Sequence, residues 1–139
     1  MTSISDIRII ELSRIEDPRG NLSFIESETH IPFKIARTYW IYDVPGGQSR
    51  GGHAYKNLHE FIVAISGSLD LEIDDGKLKQ RLQLNRSYYG IYVPNGIWRK
   101  LENFSTNSLC MILSSEEYNA DDYLRDYDEF LKLKNDGIL

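Results

Sequence analysis

The stretch from Gly47 to Gly67 constrains this chain more than any other, because glycines bracket a run of chemically active side chains at fixed spacing. It reads GQSRGGHAYKNLHEFIVAISG. His53 and Tyr55 follow a glycine-rich loop and are two residues apart, so on a β-strand both side chains lie on the same face. Glu60 opens a short apolar run of strand length. If the shared face is the interior of a barrel, an imidazole and a phenol converge in one cavity.

Most of the chain alternates short segments of strand-forming residues with turn signals. Asp17-Pro18-Arg19-Gly20 is typical of a turn, Val44–Gly52 of a loop, and Asp74-Asp75-Gly76 of a hairpin connection. This regular spacing predicts an all-β fold. The predicted strands are Ile7–Leu12, Asn21–Glu26, Ala36–Tyr42, Glu60–Ile65, Ser68–Ile73, Lys77–Leu84, Tyr89–Val93, Trp98–Asn103 and Ser108–Ser114.

The end of the chain has a different period. Tyr123, Tyr127, Phe130 and Leu131 recur at helical spacing, and Asn119 is suited to cap the N-terminus of a helix. Strands followed by one short helix predict a double-sheet jelly roll with a C-terminal α-helix. At 139 residues, the chain is expected to form a single domain over residues 1–139.

Composition excludes several classes of function. The net charge of −5 argues against nucleic acid as a partner. No apolar run approaches the roughly 18 residues of a membrane-spanning helix, and the N-terminus lacks the pattern of a signal peptide. Cys110 is the single cysteine and cannot form an internal disulfide, so a reducing cytoplasm is the expected compartment.

The spacing of the glycine-bracketed stretch is similar to the first motif of the cupin family, with Tyr55 where a second histidine belongs. A second motif follows from Pro94 to Asn103, with Arg99 at the position of its histidine. Two of the four usual metal ligands are therefore absent, and the chain has only three histidines. The pattern predicts a cupin barrel that has no functional metal. Such a barrel would move protons or bind a sugar.

Several side chains have two interpretations. His53 has a pKa suited to a base near neutral pH, although a lone histidine is often structural. Glu60 either binds a hydroxyl or pairs with an Arg or Lys. Only one of Tyr39 and Trp40 can face the interior, and for Trp40 the core is expected. His59 is expected at the surface or in an interface.

The cations suggest an anionic ligand. Arg37 shares a strand face with Tyr39, and Arg19, Arg50 and Lys56 lie in or beside predicted loops. Scattered cations are usually solvated, but several flank the motif loop, and the guanidinium fork suits a diphosphate. Arg99 is predicted to face the interior, where it requires an anion or a hydroxyl-rich ligand.

Taken together, the segments DPRGNLSFIE, IPFKIARTYWIYDVPGG, RGGHAYKNLHEFIVAISGSLDLEIDDG and YVPNGIW resemble the sugar 3,4-ketoisomerase family, as does the tail DDYLRDYDEF. The resemblance implies a jelly-roll homodimer with exchanged N-terminal strands and no metal or organic cofactor. It implies an enzyme that moves the keto group of TDP-4-keto-6-deoxyglucose from C4 to C3 through an enediol(ate). The product would serve the synthesis of a 3-amino-3,6-dideoxyhexose for surface glycans.

The same resemblance implies roles for single residues. His53 matches the base and Tyr39 the hydroxyl that relays protons, while Arg37, Arg50 and Lys56 match cations around the nucleotide. The family usually has His-Ala-His where this chain has His53-Ala54-Tyr55. A phenol is a weak base, so Tyr55 is expected to donate a hydrogen bond or pass a proton.

Three alternatives stay open on the sequence. A nucleotide-sugar epimerase of the 3,5-epimerase type also uses a jelly roll and a histidine base. A non-catalytic sugar-binding cupin would explain Tyr55 and Arg99 as marks of lost catalysis. A metal-dependent cupin oxygenase is the third. Arg99, Tyr39 and Tyr55 are the candidate donors to an oxyanion in the isomerase, and the configuration at C4 of its product is not determined.

Overall fold

The computed structural model describes residues 1–139, which form ten β-strands, one α-helix and two short 3₁₀ turns. The helix α1 covers Tyr127–Asn135. The strands are β1 (Arg8–Glu11), β2 (Arg37–Tyr42), β3 (Arg50–Tyr55), β4 (Glu60–Ser66), β5 (Leu69–Asp74), β6 (Lys79–Leu84), β7 (Tyr89–Val93), β8 (Trp98–Glu102), β9 (Leu109–Ser114) and β10 (Tyr123–Leu124).

The strands form two antiparallel sheets of five, in the orders β1-β7-β4-β9-β2 and β10-β3-β8-β5-β6. From β2 onward, nearly every connection carries the chain from one sheet to the other, which is the topology of a jelly roll. The predicted all-β class with a short C-terminal helix is confirmed. No helix of the structure is long and apolar enough to span a membrane.

The interior of the barrel changes character along its length. Leu69, Leu71 and Ile73 alternate inward along β5 and are fully buried. At the other end the buried inward positions are polar, including Glu60 and Arg99. The apolar end contains twelve buried residues: Ile62, Ala64, Leu69, Leu71, Ile73, Leu84, Ile91, Val93, Ile97, Leu101, Cys110 and Ile112.

The strand predicted over Asn21–Glu26 is wrong. This part of the chain makes one isolated bridge, between Ile15 and Leu22, and otherwise runs irregularly over the outer face of the first sheet. Further along the same connection, Ile31 and Phe33 pack in a second apolar cluster with Phe61 and neighbouring residues. The apolar residues of this segment therefore cover a sheet rather than extend one.

The predicted start of the C-terminal helix is also wrong. Asn119 caps a 3₁₀ turn over Ala120–Asp122, and α1 begins only at Tyr127, where the Asp126 side chain accepts from two backbone N–H groups. Between them, Tyr123 and Leu124 pair with Tyr55 and Ala54 as β10. Backbone pairing with β3 thus prevails over the helical spacing of the aromatic residues.

A buried carboxylate fixes this C-terminal segment to the barrel. Asp122 accepts hydrogen bonds from the Asn57 backbone N–H at 2.9 Å, the Asn57 side-chain amide at 3.0 Å and the Leu58 N–H at 3.1 Å. On the other side of β10, Phe130 of α1 packs in a small cluster with Ala54 and Leu124. The strand β10 is therefore held at both ends beside the loop that links β3 to β4.

We expect Asp122→Ala to lower the free energy of unfolding by about 1–3 kcal/mol, because it leaves buried backbone donors without an acceptor. Urea denaturation followed by circular dichroism measures this loss. Asp121→Ala is the matched control, since Asp121 is exposed and its carboxylate makes no hydrogen bond. Equal stability of the two variants would contradict the role given to Asp122.

Candidate active site

The polar end of the barrel opens into a cavity of about 520 Å³. Strand β2 supplies Arg37 and Tyr39, and β3 supplies residues from Arg50 to Tyr55. The cavity is therefore lined by His53 and Tyr55 of β3 and by Arg37 and Tyr39 of β2. The lining residues are Arg37, Tyr39, Trp40, Ile41, Tyr42, Arg50, Gly51, His53, Tyr55, Arg99, Tyr123 and Arg125.

An ion pair between Glu60 and Arg99 lies at the base of the cavity. Arg99 donates through Nε to Oε1 of Glu60 and through NH2 to Oε2, both at 2.9 Å. Each residue is only 1% exposed. The anion that Arg99 was predicted to require is thus an internal carboxylate, and the ion-pair interpretation of Glu60 holds.

Tyr39 is bound to both members of this pair. Its hydroxyl donates to Oε2 of Glu60 at 3.0 Å and accepts from NH2 of Arg99 at 3.1 Å. Burial, followed by the Glu60 carboxylate, raises the pKa of Tyr39 above its usual value. Burial disfavours the Arg99 cation, but Glu60 outweighs that effect and holds the pKa of Arg99 well above its ordinary value. Tyr39 is therefore a neutral phenol in a fixed orientation.

Arg99 can occupy its position at the base of the cavity because Gly51 has no side chain. A Cβ atom at Gly51 would collide with the Arg99 guanidinium. The φ angle of +73° also lies in the region that favours glycine. The Gly51 carbonyl in turn accepts from Arg99 NH1 at 3.3 Å. A glycine of the motif loop is thus required by the ion pair beneath it.

His53 lies between two aromatic rings. Its ring centroid is 4.8 Å from that of Tyr55 and 5.0 Å from that of Tyr123. Burial, with smaller contributions from the Arg99 and Arg125 cations, lowers the pKa of His53 to about 2. His53 is therefore a neutral imidazole at pH 7, the form that can accept a proton.

All four buried side-chain polar atoms that lack a hydrogen-bond partner belong to this end of the barrel. They are Arg37 Nε, His53 Nε2, the Tyr55 hydroxyl and Ser114 Oγ. Ser114 lies on β9, opposite both Arg37 and Glu60 in the sheet. Because buried polar groups are nearly always paired, their concentration here indicates a site built for a polar ligand.

Sequence reasoning missed three residues of the site: Tyr123, Arg125 and Ser114. Tyr123 packs against His53 and Tyr55, and its hydroxyl is 3.5 Å from Arg37 NH2. The Arg125 guanidinium lies 4.3 Å from the Tyr123 ring centroid. Tyr123 and Arg125 belong to the tail segment that carried part of the family resemblance, but the sequence predicted a helix there, whereas Tyr123 lies on β10 and Arg125 follows it.

Other predicted residues lie elsewhere. Arg19 is on an exposed turn, where it pairs with Asp17, and Lys56 follows β3; neither lines the cavity. The core position predicted for Trp40 is wrong: it is 57% exposed, because β2 alternates and Tyr39 takes the inward face. His59 lies half-buried on the outer face, where Nδ1 is 2.7 Å from the Tyr92 hydroxyl.

The residues at the cupin motif positions do not fit a metal ion. His53 and Glu60 are the two potential ligands, and no cluster of three or more His, Cys, Asp or Glu side chains is suited to metal binding. Both oxygens of Glu60 already accept from the Arg99 guanidinium, whose charge would repel a metal cation at the same carboxylate. We therefore derive no metal chemistry for this cavity.

Comparison with known proteins gives the family. Residues 5–135 match the family described as FdtA: WxcM-like, C-terminal. The chain belongs to this family. A curated relative, TDP-4-oxo-6-deoxy-alpha-D-glucose-3,4-oxoisomerase from Aneurinibacillus thermoaerophilus, is 38% identical over 125 residues, which is 90% of each chain. The family predicted from the sequence is thus confirmed.

Solved structures agree with this FdtA-type assignment. A 3,4-ketoisomerase from Helicobacter canadensis is 37% identical, with a TM-score of 0.91 over 94% of this chain and 98% of that one. The ketoisomerase QdtA from Thermoanaerobacterium thermosaccharolyticum, as a histidine-to-asparagine variant with TDP-4-keto-6-deoxyglucose, is 28% identical, with a TM-score of 0.94 over 96% and 97% of the two chains. A dTDP-4-dehydrorhamnose 3,5-epimerase from Bacillus anthracis, 18% identical over 88% and 79% with a TM-score of 0.77, shares the fold alone.

The lowered pKa of His53 predicts acid sensitivity. Below pH 6.5 the unfolded chain binds a proton at this histidine and the folded chain does not, so stability present above pH 6.5 is lost as the pH falls towards 2. Between pH 7 and pH 5 we expect the wild type to lose about 2 kcal/mol more than His53→Asn. Urea titrations at both pH values, at one protein concentration, measure the difference. Parallel losses in the two proteins would contradict the shifted pKa.

The ion pair makes a second prediction. Glu60→Leu leaves the Arg99 cation buried without a counter-ion and should cost about 3–5 kcal/mol of unfolding free energy. The double variant Glu60→Leu/Arg99→Met removes both charges and should recover most of that loss. Urea unfolding of the two variants and the wild type tests this. A double variant as unstable as the single one would show that the unpaired charge is not the cause.

Proposed function

We propose that the chain is a sugar 3,4-ketoisomerase that converts TDP-4-keto-6-deoxyglucose into its 3-keto isomer. The curated relative carries that activity in its name, and the QdtA structure contains that sugar. The observation that carries the proposal is the state of His53. It is a neutral imidazole with an unpartnered Nε2, and it lies beside Tyr39 and Tyr55 in a cavity lined by arginines.

The chemistry begins with the proton on C3, which the adjacent C4 ketone makes acidic. His53 removes that proton as general base, the C3–H electrons form a C3=C4 double bond, and the C4 carbonyl becomes an oxyanion. Preorganised donors in a site with little water stabilise such an oxyanion strongly. The hydroxyl proton on O3 then passes to O4, and return of the first proton from His53 to C4 leaves the carbonyl at C3. We assign His53, Tyr39 and Tyr55 to this chemistry.

The nucleotide requires cations that are free to bind it. Arg50 and Arg125 are exposed at the rim of the cavity, and Arg37 is half-buried beside them. We propose that these three hold the diphosphate, as guanidinium forks do well. Arg99, in contrast, is occupied by Glu60 and positions Tyr39. Lys56, predicted at first among the nucleotide-binding cations, lies outside the cavity lining.

Binding of the nucleotide also affects the base. The positive potential of Arg125 is one reason that His53 resists protonation. A diphosphate beside Arg125 offsets that potential and makes the imidazolium easier to form. Binding of the nucleotide thereby favours proton transfer at the reacting carbon, so contacts far from that carbon raise kcat as well as affinity.

The assembly and the cellular role belong to the same proposal. Strand β1 lies at the edge of its sheet and pairs only with β7, so the same strand of a second copy can take its place, giving a homodimer with exchanged N-terminal strands. In that dimer Arg19, exposed on the turn that follows β1, is the remaining candidate for a substrate-binding cation.

The enzyme would act in the cytoplasm, without nucleic acid or membrane partners. A 3-keto sugar is the substrate that an aminotransferase needs to make a 3-amino-3,6-dideoxyhexose for surface glycans.

Proton NMR of TDP-4-keto-6-deoxyglucose in D₂O with the enzyme tests the function. We expect the signals of a 3-keto sugar, and the coupling of H4 gives the configuration at C4. His53→Asn should abolish the reaction while TDP still binds. Inversion at C3 or C5 with the carbonyl left at C4 would instead identify an epimerase. Binding of the nucleotide sugar without exchange at C3 would identify a non-catalytic cupin.

A further inference from the structure

Lys134, in the last turn of α1, is buried although no Asp or Glu side chain pairs with it. The residue is only 5% exposed, and none of the ion pairs of the structure includes its ammonium. A buried lysine without such a partner is rare, because the ammonium loses its hydration. Burial lowers the pKa of Lys134, and the attraction of Asp75 and Asp6 offsets only part of that effect. The hydrogen bonds of the ammonium must therefore compensate for its burial.

These hydrogen bonds fix the beginning of the chain. Lys134 Nζ donates to the Thr2 carbonyl at 2.6 Å, to the Thr2 hydroxyl at 3.0 Å and to the Leu139 carbonyl at 3.2 Å. The three bonds match the three N–H donors of an ammonium. Two of them join residues that are 132 positions apart in the sequence. Lys134 is therefore the point at which α1 holds the N-terminal segment, residues 1–7, which precedes β1.

Other contacts hold the same segment against the barrel. The Thr2 hydroxyl donates to the Asn95 carbonyl at 2.7 Å, and the Asp75 carboxylate accepts from the Ile4 N–H at 2.9 Å. Thr2 lies so close to Gly96 that a Cβ atom there would be 2.6 Å from the threonine hydroxyl oxygen. The N-terminal segment thus has a closely fitting binding site between α1 and the connections that follow β5 and β7.

Helix α1 links this binding site to the cavity wall. Phe130 lies one turn before Lys134 on the same face of the helix, and it is fully buried against Leu124 of β10. Tyr123 and Arg125, the neighbours of Leu124 in the sequence, both line the cavity. Contacts at the end of α1 therefore act on the cavity wall through Phe130.

The last turn of α1 depends on Lys134 for its position. The first turn is held separately by the Tyr127 hydroxyl, which donates to Asp74, and by the Trp98 ring, whose centroid is 5.2 Å from that of Tyr127. In the last turn Lys134 is the only buried residue, and residues 135–138 are exposed. A helix of nine residues is not stable without packing contacts. Without the ammonium, the last turn should therefore fray while the first turn stays in place.

We propose that Lys134 is a positioning residue through which the docked N-terminal segment fixes the cavity wall. With Thr2 bound, the last turn of α1 keeps Phe130 packed on β10, and Arg125 is held at the rim. Without that contact the last turn loosens, and Arg125 is no longer fixed where a diphosphate would meet it. The inference goes beyond the proposed function and rests on it only in taking the nucleotide as the ligand of Arg125. His53 belongs to β3, so binding of the nucleotide should weaken while the chemical step stays nearly unchanged.

The test compares Lys134→Met with Lys132→Met. Methionine keeps an unbranched side chain at the buried position but lacks the ammonium, and Lys132 is exposed on the same helix. By titration calorimetry we expect Lys134→Met to raise the Kd for TDP about fivefold or more, which is part of the value of one charged hydrogen bond. Lys132→Met should keep the wild-type Kd. The kcat of Lys134→Met at saturating TDP-4-keto-6-deoxyglucose should stay within about twofold of wild type, because only binding is affected.

A deletion tests the coupling from the other side. Removal of Thr2 and Ser3 takes away the partner of Lys134 and should weaken TDP binding by a similar factor. Because both changes break the same contact, combining the deletion with Lys134→Met should add little to either change alone. Hydrogen–deuterium exchange over residues 123–125 should be faster in both variants, without any ligand. The deletion leaves every residue of α1 in place, so it carries the test if Lys134→Met does not fold.

Three results would overturn the proposal. Wild-type affinity and exchange in Lys134→Met would make Lys134 a packing residue. Losses that add in the combined variant would show that Thr2 and Lys134 act independently. A fall in kcat with an unchanged Kd would place the effect on the chemical step instead. A wild type that binds no TDP is a separate result, because it removes the proposed function while the exchange rates still decide the coupling.

Discussion

The buried pair of Glu60 and Arg99 is the interaction on which the rest of the cavity depends. It joins the two sheets, since Glu60 is on β4 and Arg99 on β8. An ion pair that is almost fully buried is tolerated only when its remaining hydrogen-bonding capacity is used, and here Tyr39 and the Gly51 carbonyl take part of it. The same contacts orient the phenol on β2 and leave the Arg99 charge neutralised. The His53 imidazole and the Tyr55 phenol lie above the pair and are not hydrogen-bonded to it.

The other requirement is the C-terminal segment, which completes the cavity wall from a distant part of the sequence. Asp122 and the packing of α1 hold β10 beside β3. This placement brings Tyr123 against His53 and Arg125 to the rim. The two-residue strand is short, but the contacts on both of its sides make it an integral part of the barrel. The site is thus assembled from β2, β3, β8 and the tail, with β4 supplying the counter-ion.

Local pattern was sufficient for part of this arrangement. The two-residue period of a strand placed His53 and Tyr55 on one face, and it allowed only one of Tyr39 and Trp40 to face the interior. The period did not decide between these two, and the prediction favoured the core for Trp40 because Trp is usually buried and the position of β2 at a sheet edge is not visible locally. The family resemblance supplied the enzyme class, which neither composition nor strand spacing contains.

What could not be predicted depends on contacts between distant segments. Glu60 and Arg99 are 39 residues apart, so the choice between a free carboxylate and an ion pair required the packing of two sheets. Tyr123 and Tyr127 have helical spacing, but the backbone of Tyr123 pairs with that of Tyr55 in a sheet. The helix therefore begins only after its N-cap residue, Asp126. Similarly, nothing local shows that Ser114 lies opposite both Arg37 and Glu60.

The separation of free and neutralised arginines gives the cavity a direction. Arg50 and Arg125 at the mouth are exposed and have no carboxylate partner, whereas the charge of Arg99 at the base is balanced by the Glu60 carboxylate. An elongated molecule with one anionic end and one uncharged end is therefore stable in only one orientation, with its charge outside and its neutral ring inside. The barrel distinguishes the two ends of its ligand before any hydrogen bond to the ring is made, and a molecule charged at both ends is excluded by the desolvation cost at the base.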